Sequence, residues 1–226
     1  MSYYQLKKTI GANNTLRRFL LLTLTGVLIA ASAHAASPGG LLKELRKHYR
    51  QVTTLQAHFK EVFQWELTGE MVLREGTLAV ATENRFRIDT PDQLVVSDGK
   101  VIYRFNKARN QVIIEAVGES NAGLLPNRLL LDFADQFKAT TVEELAVSDK
   151  PGFRLELTAE DPDALLLKEA VLWATADDLT VHRLKLTDLN GNTTTYQLSE
   201  IRMNQPLDST LTAFTPPPGA ELFDLR

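Results

Sequence analysis

Beyond residue 35 the chain has three histidines, His48, His58 and His182, and no cysteine anywhere, so side chains suited to proton transfer or nucleophilic attack near neutral pH are few. None of the three stands in a string that catalysis would require: G-x-S-x-G, H-E-x-x-H and a Gly-rich phosphate loop are all absent. Asp161 and Asp163, on either side of Pro162, could offer oxygens to calcium. Two carboxylates fall well short of the roughly six to eight ligands that ion takes, so a solvated turn is the simpler reading. Without cysteine there is no thiol chemistry, no Cys-ligated zinc and no disulfide, and the chain cannot itself be a lipoprotein acylated at a new N-terminal cysteine. The residues point away from an enzyme and imply no cofactor and no metal. What they offer instead is apolar side chains in regular patterns.

The most regular pattern lies between residues 76 and 114, where short strands follow one another with little but turns between them. In Asn84 to Thr90, Phe86 and Ile88 face one way and Arg85, Arg87 and Asp89 the other, since successive strand side chains alternate. Ser97-Asp98-Gly99-Lys100 separates two apolar runs and supplies a glycine for the positive φ of a hairpin turn, which makes neighbouring strands antiparallel. Phe86, Ile88, Val95, Ile102, Phe105, Val112 and Ile114 are the candidate apolar lining residues of this ladder.

The elements around the ladder follow from period. Leu41, Leu42, Leu45, Tyr49 and Val52 recur at helical spacing among charged neighbours and predict a short amphipathic helix. A second helix is expected over Ala122 to Lys138, where Leu125, Leu129, Phe133 and Phe137 recur every four residues and Pro126 suits a first turn. Leu124, Leu130 and Leu131 widen its apolar surface, so it must be covered on several sides or itself cover something. Strands resume with Phe153, Leu155 and Leu157, then Val171 and Trp173, then Leu184 and Leu186; Asp188 to Asn192 forms a hairpin turn before Thr194, Tyr196 and Leu198. Pro216, Pro217 and Pro218 offer no donors and keep the tail out of any sheet interior. About ten local strands and few helices predict a mainly β fold: a curled antiparallel sheet, in effect an incomplete barrel closed by two or three short helices. There is no repeat, linker or second domain.

The first 35 residues read as a cleavable signal peptide. Lys7, Lys8, Arg17 and Arg18 precede the apolar run Phe19 to Ala31, and Ala33-His34-Ala35 gives small residues at the positions a signal peptidase reads. The run is shorter than the roughly 20 residues of a membrane span. The expected organisation is therefore 1–35 signal peptide and 36–226 one exported domain, held by its core without disulfides. The leader removes four of 25 basic residues and none of 28 acidic ones, leaving 21 against 28, a net charge of −7. That balance excludes a basic nucleic-acid footprint and disfavours direct adhesion to an anionic membrane.

Taken in order, Gly76-Thr77-Leu78, Arg85-Phe86-Arg87, Val96-Ser97-Asp98-Gly99-Lys100, Tyr103, the hairpin Asp188 to Tyr196 and Phe214-Thr215-Pro216-Pro217-Pro218-Gly219 resemble the LolA-like periplasmic carriers of outer-membrane lipoproteins, over Leu41 to Leu222. The resemblance implies a half-barrel with an apolar cavity for acyl chains, lined by the seven ladder residues and by Leu125, Leu129, Phe133 and Phe137 from a lid helix. It implies as partners acylated lipoproteins or lipids, an ABC-type lipoprotein-releasing transporter in the inner membrane and an acceptor at the outer one. It implies a monomer in the periplasm. In that family an Arg-Pro pair just before the Phe86 strand latches the lid. Here Thr82 and Glu83 occupy those positions, which leaves Arg85 and Arg87 as candidate latch residues. Two other readings share the same fold: a carrier of another lipid, such as a glycolipid or a polyene pigment intermediate, and a lipid-sensing regulatory module.

Overall fold

The first helix forms where the sequence places an acceptor, a proline and an apolar stripe in succession. In α1, Pro38–Tyr49, the Ser37 side chain accepts the Gly40 N–H at 3.1 Å, Pro38 occupies the first turn, and Arg46, Lys47 and His48 fall in the last turn, where the helix dipole favours cations. Leu41, Leu42, Leu45 and Tyr49 are its buried face. The structure, a computed structural model, describes residues 37–118 and 133–226. These residues belong to the compact unit Ala35–Arg226. Among them no helix is long and apolar enough to cross a membrane.

Strands make up the rest: β1 Thr54–Gln64, β2 Met71–Ala81, β3 Arg85–Asp89, β4 Gln93–Asp98, β5 Val101–Asn106, β6 Gln111–Ala116, β7 Phe137–Val147, β8 Lys150–Ala159, β9 Leu167–Thr175, β10 Val181–Asp188, β11 Thr193–Met203 and β12 Glu221–Asp224. A single helical turn, α2 (Pro162–Leu165), joins β8 to β9, with the Asp161 carboxylate accepting the Ala164 N–H at 3.0 Å. The expected role of Asp161 and Asp163 as turn residues is what the structure has there; among the described residues no three metal-ligating side chains gather.

The strands form one twelve-stranded sheet in the order β12-β6-β5-β4-β3-β2-β1-β11-β10-β9-β8-β7. It consists of two meanders, β1 to β6 and β7 to β11, joined where β1 lies against β11 with Leu55 opposite Met203 and Gln64 opposite Thr193. All pairs are antiparallel except β12 on β6, which is parallel. The sheet is open, with β7 and β12 at its margins. Tight turns carry the meander. Glu83 and Asn84 have φ of 62° and 57°, the primed hairpin conformation, between β2 and β3. Gly99, at φ 98°, passes so close to the Glu83 carbonyl that a Cβ would lie 2.6 Å from its oxygen.

One face of the sheet holds the core. Leu55 and Phe59 of β1, Val80 of β2, Phe86 of β3, Val95 of β4, Ile102 of β5, Leu155 of β8, Leu172 of β9 and Leu184 of β10 form one buried cluster with Leu42, Leu45 and Tyr49 of α1. Side chains from strands so far apart in the sheet reach a common helix only if the sheet curls round it. Each fully buried leucine among them contributes on the order of 1.5–3 kcal/mol.

The expected helix over Ala122 to Lys138 differs at its C-terminal end. Phe133–Gln136 is a 3-10 turn and Phe137 opens β7, opposite Ala159. A spacing of four fits helical turns and, being even, also keeps residues on one face of a strand, so the pattern alone does not separate the two. Leu125 and Leu129 lie outside the described residues, as does the side chain of Phe133.

Candidate functional site: the inner apolar face

The register divides the seven candidate lining residues of the ladder between two faces. Val80 is opposite Phe86, Leu78 opposite Ile88, Ile88 opposite Val95, and Ser97 opposite Ile102, so Phe86, Ile88, Val95 and Ile102 share the inner face with α1. Phe105 lies opposite Val112, and Ile114 opposite Tyr103, one residue out of phase with Ile102. These three therefore belong to the outer face. There Phe214 covers part of the ladder, its ring 5.2 Å from Tyr103 and 6.2 Å from Phe105. The sequence shows alternation within a strand but not which phase of β5 and β6 matches Phe86; the turn lengths decide that. Phe137 joins the inner cluster, 2% exposed, from β7 and not from a helix.

Arg85 and Arg87 are likewise turned to the outer face by alternation with Phe86 and Ile88. Arg87 donates to Asp89 at 3.1 Å. The Arg85 Nε is enclosed without a hydrogen bond, 3.9 Å from the Glu83 carboxylate. Both latch candidates therefore lie on the face of the sheet away from α1. A cationic tie between α1 and the segment entering β7 does exist, and it comes from the helix. Arg46 donates to the Phe137 carbonyl at 2.7 Å and lies 3.5 Å from Asp135, and Arg50 reaches the same carboxylate at 3.0 Å. Sequence reading missed these two because cations near a helix C-terminus already have a sufficient reason to be there.

Toward the end of the sheet where β1 turns into β2, the inner face changes character. Phe63 and Val72 face each other across the hairpin, and Phe63 meets Trp65 edge to face at 4.6 Å, with Trp65 40% exposed. Between this aromatic end and the closed core runs one polar row. Arg74 donates to Glu61 at 3.0 Å, and Glu61 lies opposite Tyr196, whose phenol burial pushes upward, with the nearby Glu61 charge acting the same way. Tyr196 therefore stays neutral, a donor for Glu61; a second polar contact stands on the same face, where Arg104, opposite Val95, donates to Glu115, opposite Ile102, at 2.7 Å.

Three cavities stand out. One of about 680 Å³ opens on the inner side between the first turn of α1 and the β7–β8 hairpin, walled by Leu41, Val142, Leu145, Phe153 and Leu179. Two others, of about 550 and 580 Å³, lie around Lys60 and Glu75, whose side chains point outward. None is lined by Phe86, Ile88, Val95 or Ile102, which are packed into the cluster.

The site is thus the inner face of an open antiparallel sheet curled round a helix, largely apolar and ending in exposed aromatic residues. Residues 50–215 match the family model described as outer membrane lipoprotein carrier protein LolA. The chain belongs to this family. Among relatives, it is 27% identical to an outer-membrane lipoprotein carrier protein of Bordetella avium, covering 91% of this chain and 98% of that one. It is 25% identical to a protein of the same description in Dechloromonas aromatica, over 86% and 91% of the two chains. It is also 23% identical to an uncharacterized protein of Methanocaldococcus jannaschii; the match covers 91% of this chain but spans only 60% of the relative's length. Among solved structures, an uncharacterized conserved protein of Thermus thermophilus superposes with a TM-score of 0.52 at 12% identity, over 80% of this chain and 98% of that one, which speaks for the fold alone. LolA-family membership accounts for the open, curled antiparallel sheet.

Proposed function

We propose that this protein is a periplasmic carrier that takes the acyl chains of lipoproteins onto its inner face and moves them between the inner and outer membranes. The observation that supports this most directly is the inner face that carries both the closed cluster around Leu45 and Phe86 and, beyond the Arg74–Glu61–Tyr196 row, the half-exposed Phe63 and Trp65, on a chain of the LolA family. The basic and apolar leader, residues 1–35, supports export of the domain 36–226. Loading by an ABC-type transporter and delivery to an outer-membrane acceptor complete the cycle.

Energetics favour a face that is only partly closed. A chain of about 16 carbons withdrawn from water is worth on the order of 12 kcal/mol at ~0.8 per methylene. Three such chains would total about 36 kcal/mol, beyond the practical affinity ceiling of roughly 20, and cargo held that firmly would never be released. Acyl chains entering at the aromatic end must displace contacts already made around α1, and that cost brings the net affinity into a useful range. Of the apolar residues expected to line a cavity, Phe86, Ile88, Val95, Ile102 and Phe137 are the ones such an opening would uncover.

The test is binding by delipidated protein of a bis-ANS-type probe and its displacement by an acylated peptide. Displacement is expected; no binding of either would refute the reading. Depletion of the protein in its own cells should leave lipoproteins at the inner membrane. Lipids co-purifying from periplasm, identified by mass spectrometry, separate lipoprotein cargo from a glycolipid or another lipid.

A further inference from the structure

β2 is longer than the strand beside it. β3 pairs with β2 only between Thr77 and Val80, because Thr90 and Pro91 turn the chain into β4, the Thr90 N–H closing on the Gln93 carbonyl. β1, on the other side, follows β2 down to Gln64 opposite Met71. Hydrogen bonds at both ends of that ladder, from Trp65 N–H to the Glu70 carbonyl and from Thr82 N–H to the Thr53 carbonyl, fix the alternation between them. Val72 and Arg74 bond to β1, and the N–H and C=O groups of Met71, Leu73 and Glu75 point to the side that β3 leaves open. No described residue pairs with them.

Edge strands in soluble proteins are commonly blunted by charge, proline or a bulge. The β7 margin has Glu143, Glu144 and a bulge between Ala139 and Thr141. The β2 overhang has no proline, no lysine and no bulge; its one outward charge is Glu75, and it exposes Leu73 at 73% and Met71 at 61%. Its one cation, Arg74, is turned inward and held by Glu61. Beside it, on the outer side, the cavity of about 550 Å³ opens at the notch between Gly76 and Thr90; that of about 580 Å³ lies on the other flank of β2, across β1, β11 and β10. The overhang and the notch supply what an added strand needs, free main-chain partners and space with polar lining beside them. Phe63, at the exposed end of the acyl-binding face, stands directly opposite Val72 of the same overhang.

We infer that the Met71–Glu75 edge of β2 is a strand-addition site for the extended polypeptide that follows the acylated residue of a cargo lipoprotein. The inference rests on the carrier reading and deepens it: the inner face takes the lipid, and the overhang takes the first residues of the chain attached to it. Recognition through main-chain groups is independent of cargo sequence, as a carrier of many lipoproteins requires.

The experiment compares two probes on the delipidated protein: a triacylated cysteinyl peptide with a ten-residue Ser/Thr/Asn tail, and the triacylated cysteine alone. The tail is expected to raise affinity at least tenfold and to slow hydrogen exchange of the Leu73 and Glu75 amides. Leu73→Pro deletes an outward N–H that β1 does not use, and should abolish the increment while leaving affinity for the tail-less probe unchanged. A tail without effect, an increment that survives Leu73→Pro, or unaltered exchange at Leu73 and Glu75 in the native chain would each overturn the inference, the last independently of how the variant folds. Protection of those amides caused by dimerisation, without tail dependence, would assign the edge to a second copy and overturn it too. Failure of both probes to bind would instead refute the carrier reading on which it rests.

Discussion

The Tyr49 hydroxyl, on the last turn of α1, accepts the Val181 N–H at 2.9 Å at the start of β10. Both groups are buried, and burial pushes the phenol well above its ordinary range, so it is neutral at any physiological pH. This bond anchors the helix to the second meander at a point 132 residues away in sequence. Tyr49→Phe keeps the ring and leaves the Val181 N–H without a partner. The expected loss is about 1–3 kcal/mol, read as a lower urea midpoint at constant slope.

At the other contact of α1 with the sheet margin, Arg46→Ala removes the donor to the Phe137 carbonyl and the approach to Asp135. The side chain is 29% exposed, so the expected loss is small, about 1 kcal/mol. Faster hydrogen exchange in the first residues of β7, with β9 and β10 unchanged, would locate the effect. Uniform acceleration over the sheet would show that the tie is not local.

The two faces of the sheet make opposite predictions for lipid binding. Phe63→Asp on the inner face should weaken displacement of a bis-ANS-type probe by acylated peptide tenfold or more. Val62→Asp, next in sequence and on the outer face, should leave it within twofold. Equal effects from the two would remove the assignment of the inner face as the acyl site.

Phe214→Ala should loosen the outer face without touching that site. The ring is partly buried against Tyr103 and Phe105, and its loss is expected to cost about 1–3 kcal/mol, including the aromatic contact. Earlier proteolysis after β11, with acyl binding retained, is the measurement.

Acidification should destabilise the fold through the turn between β9 and β10. Burial lowers the pKa of His182, and although Asp178 opposes that shift the net direction is down. The unfolded chain then binds a proton that the folded chain resists, so stability is full above the ordinary value of about 6.5 and falls as pH drops through the depressed one. Burial would raise the Asp178 carboxyl, but hydrogen bonds from Thr175 and Thr180 outweigh it and hold it at about 2; its contribution is present above about 4 and is lost toward pH 2. His182→Gln should flatten the thermal midpoint between pH 7 and 5 and leave the deeper acid transition in place.

Much of this architecture was legible in the residues. The alternation of Phe86 and Ile88 with Arg85 and Arg87, the turn at Asp98-Gly99 and the stripe Leu41, Leu42, Leu45 and Tyr49 each specify an element through local physics, and the elements are there. The site was less so. Whether Phe105 shares a face with Phe86 depends on register summed across the strands between them, and no local signal reports it. Arg46 is a surface-type residue whose meaning lies in a carbonyl 91 positions away. Phe137 fits a helix and a strand equally well by spacing.

The pairing of β1 with β11 sets the order in which this sheet can assemble. β1 to β6 and β7 to β11 are each chains of neighbouring hairpins and can zip up as they emerge, but the seam between Leu55 and Met203 cannot close until nearly the whole polypeptide is present. Until then two sheets coexist, each with an unpaired strand at the future seam and an apolar face uncovered. For that interval the chain carries two uncovered apolar faces and is itself in need of shielding.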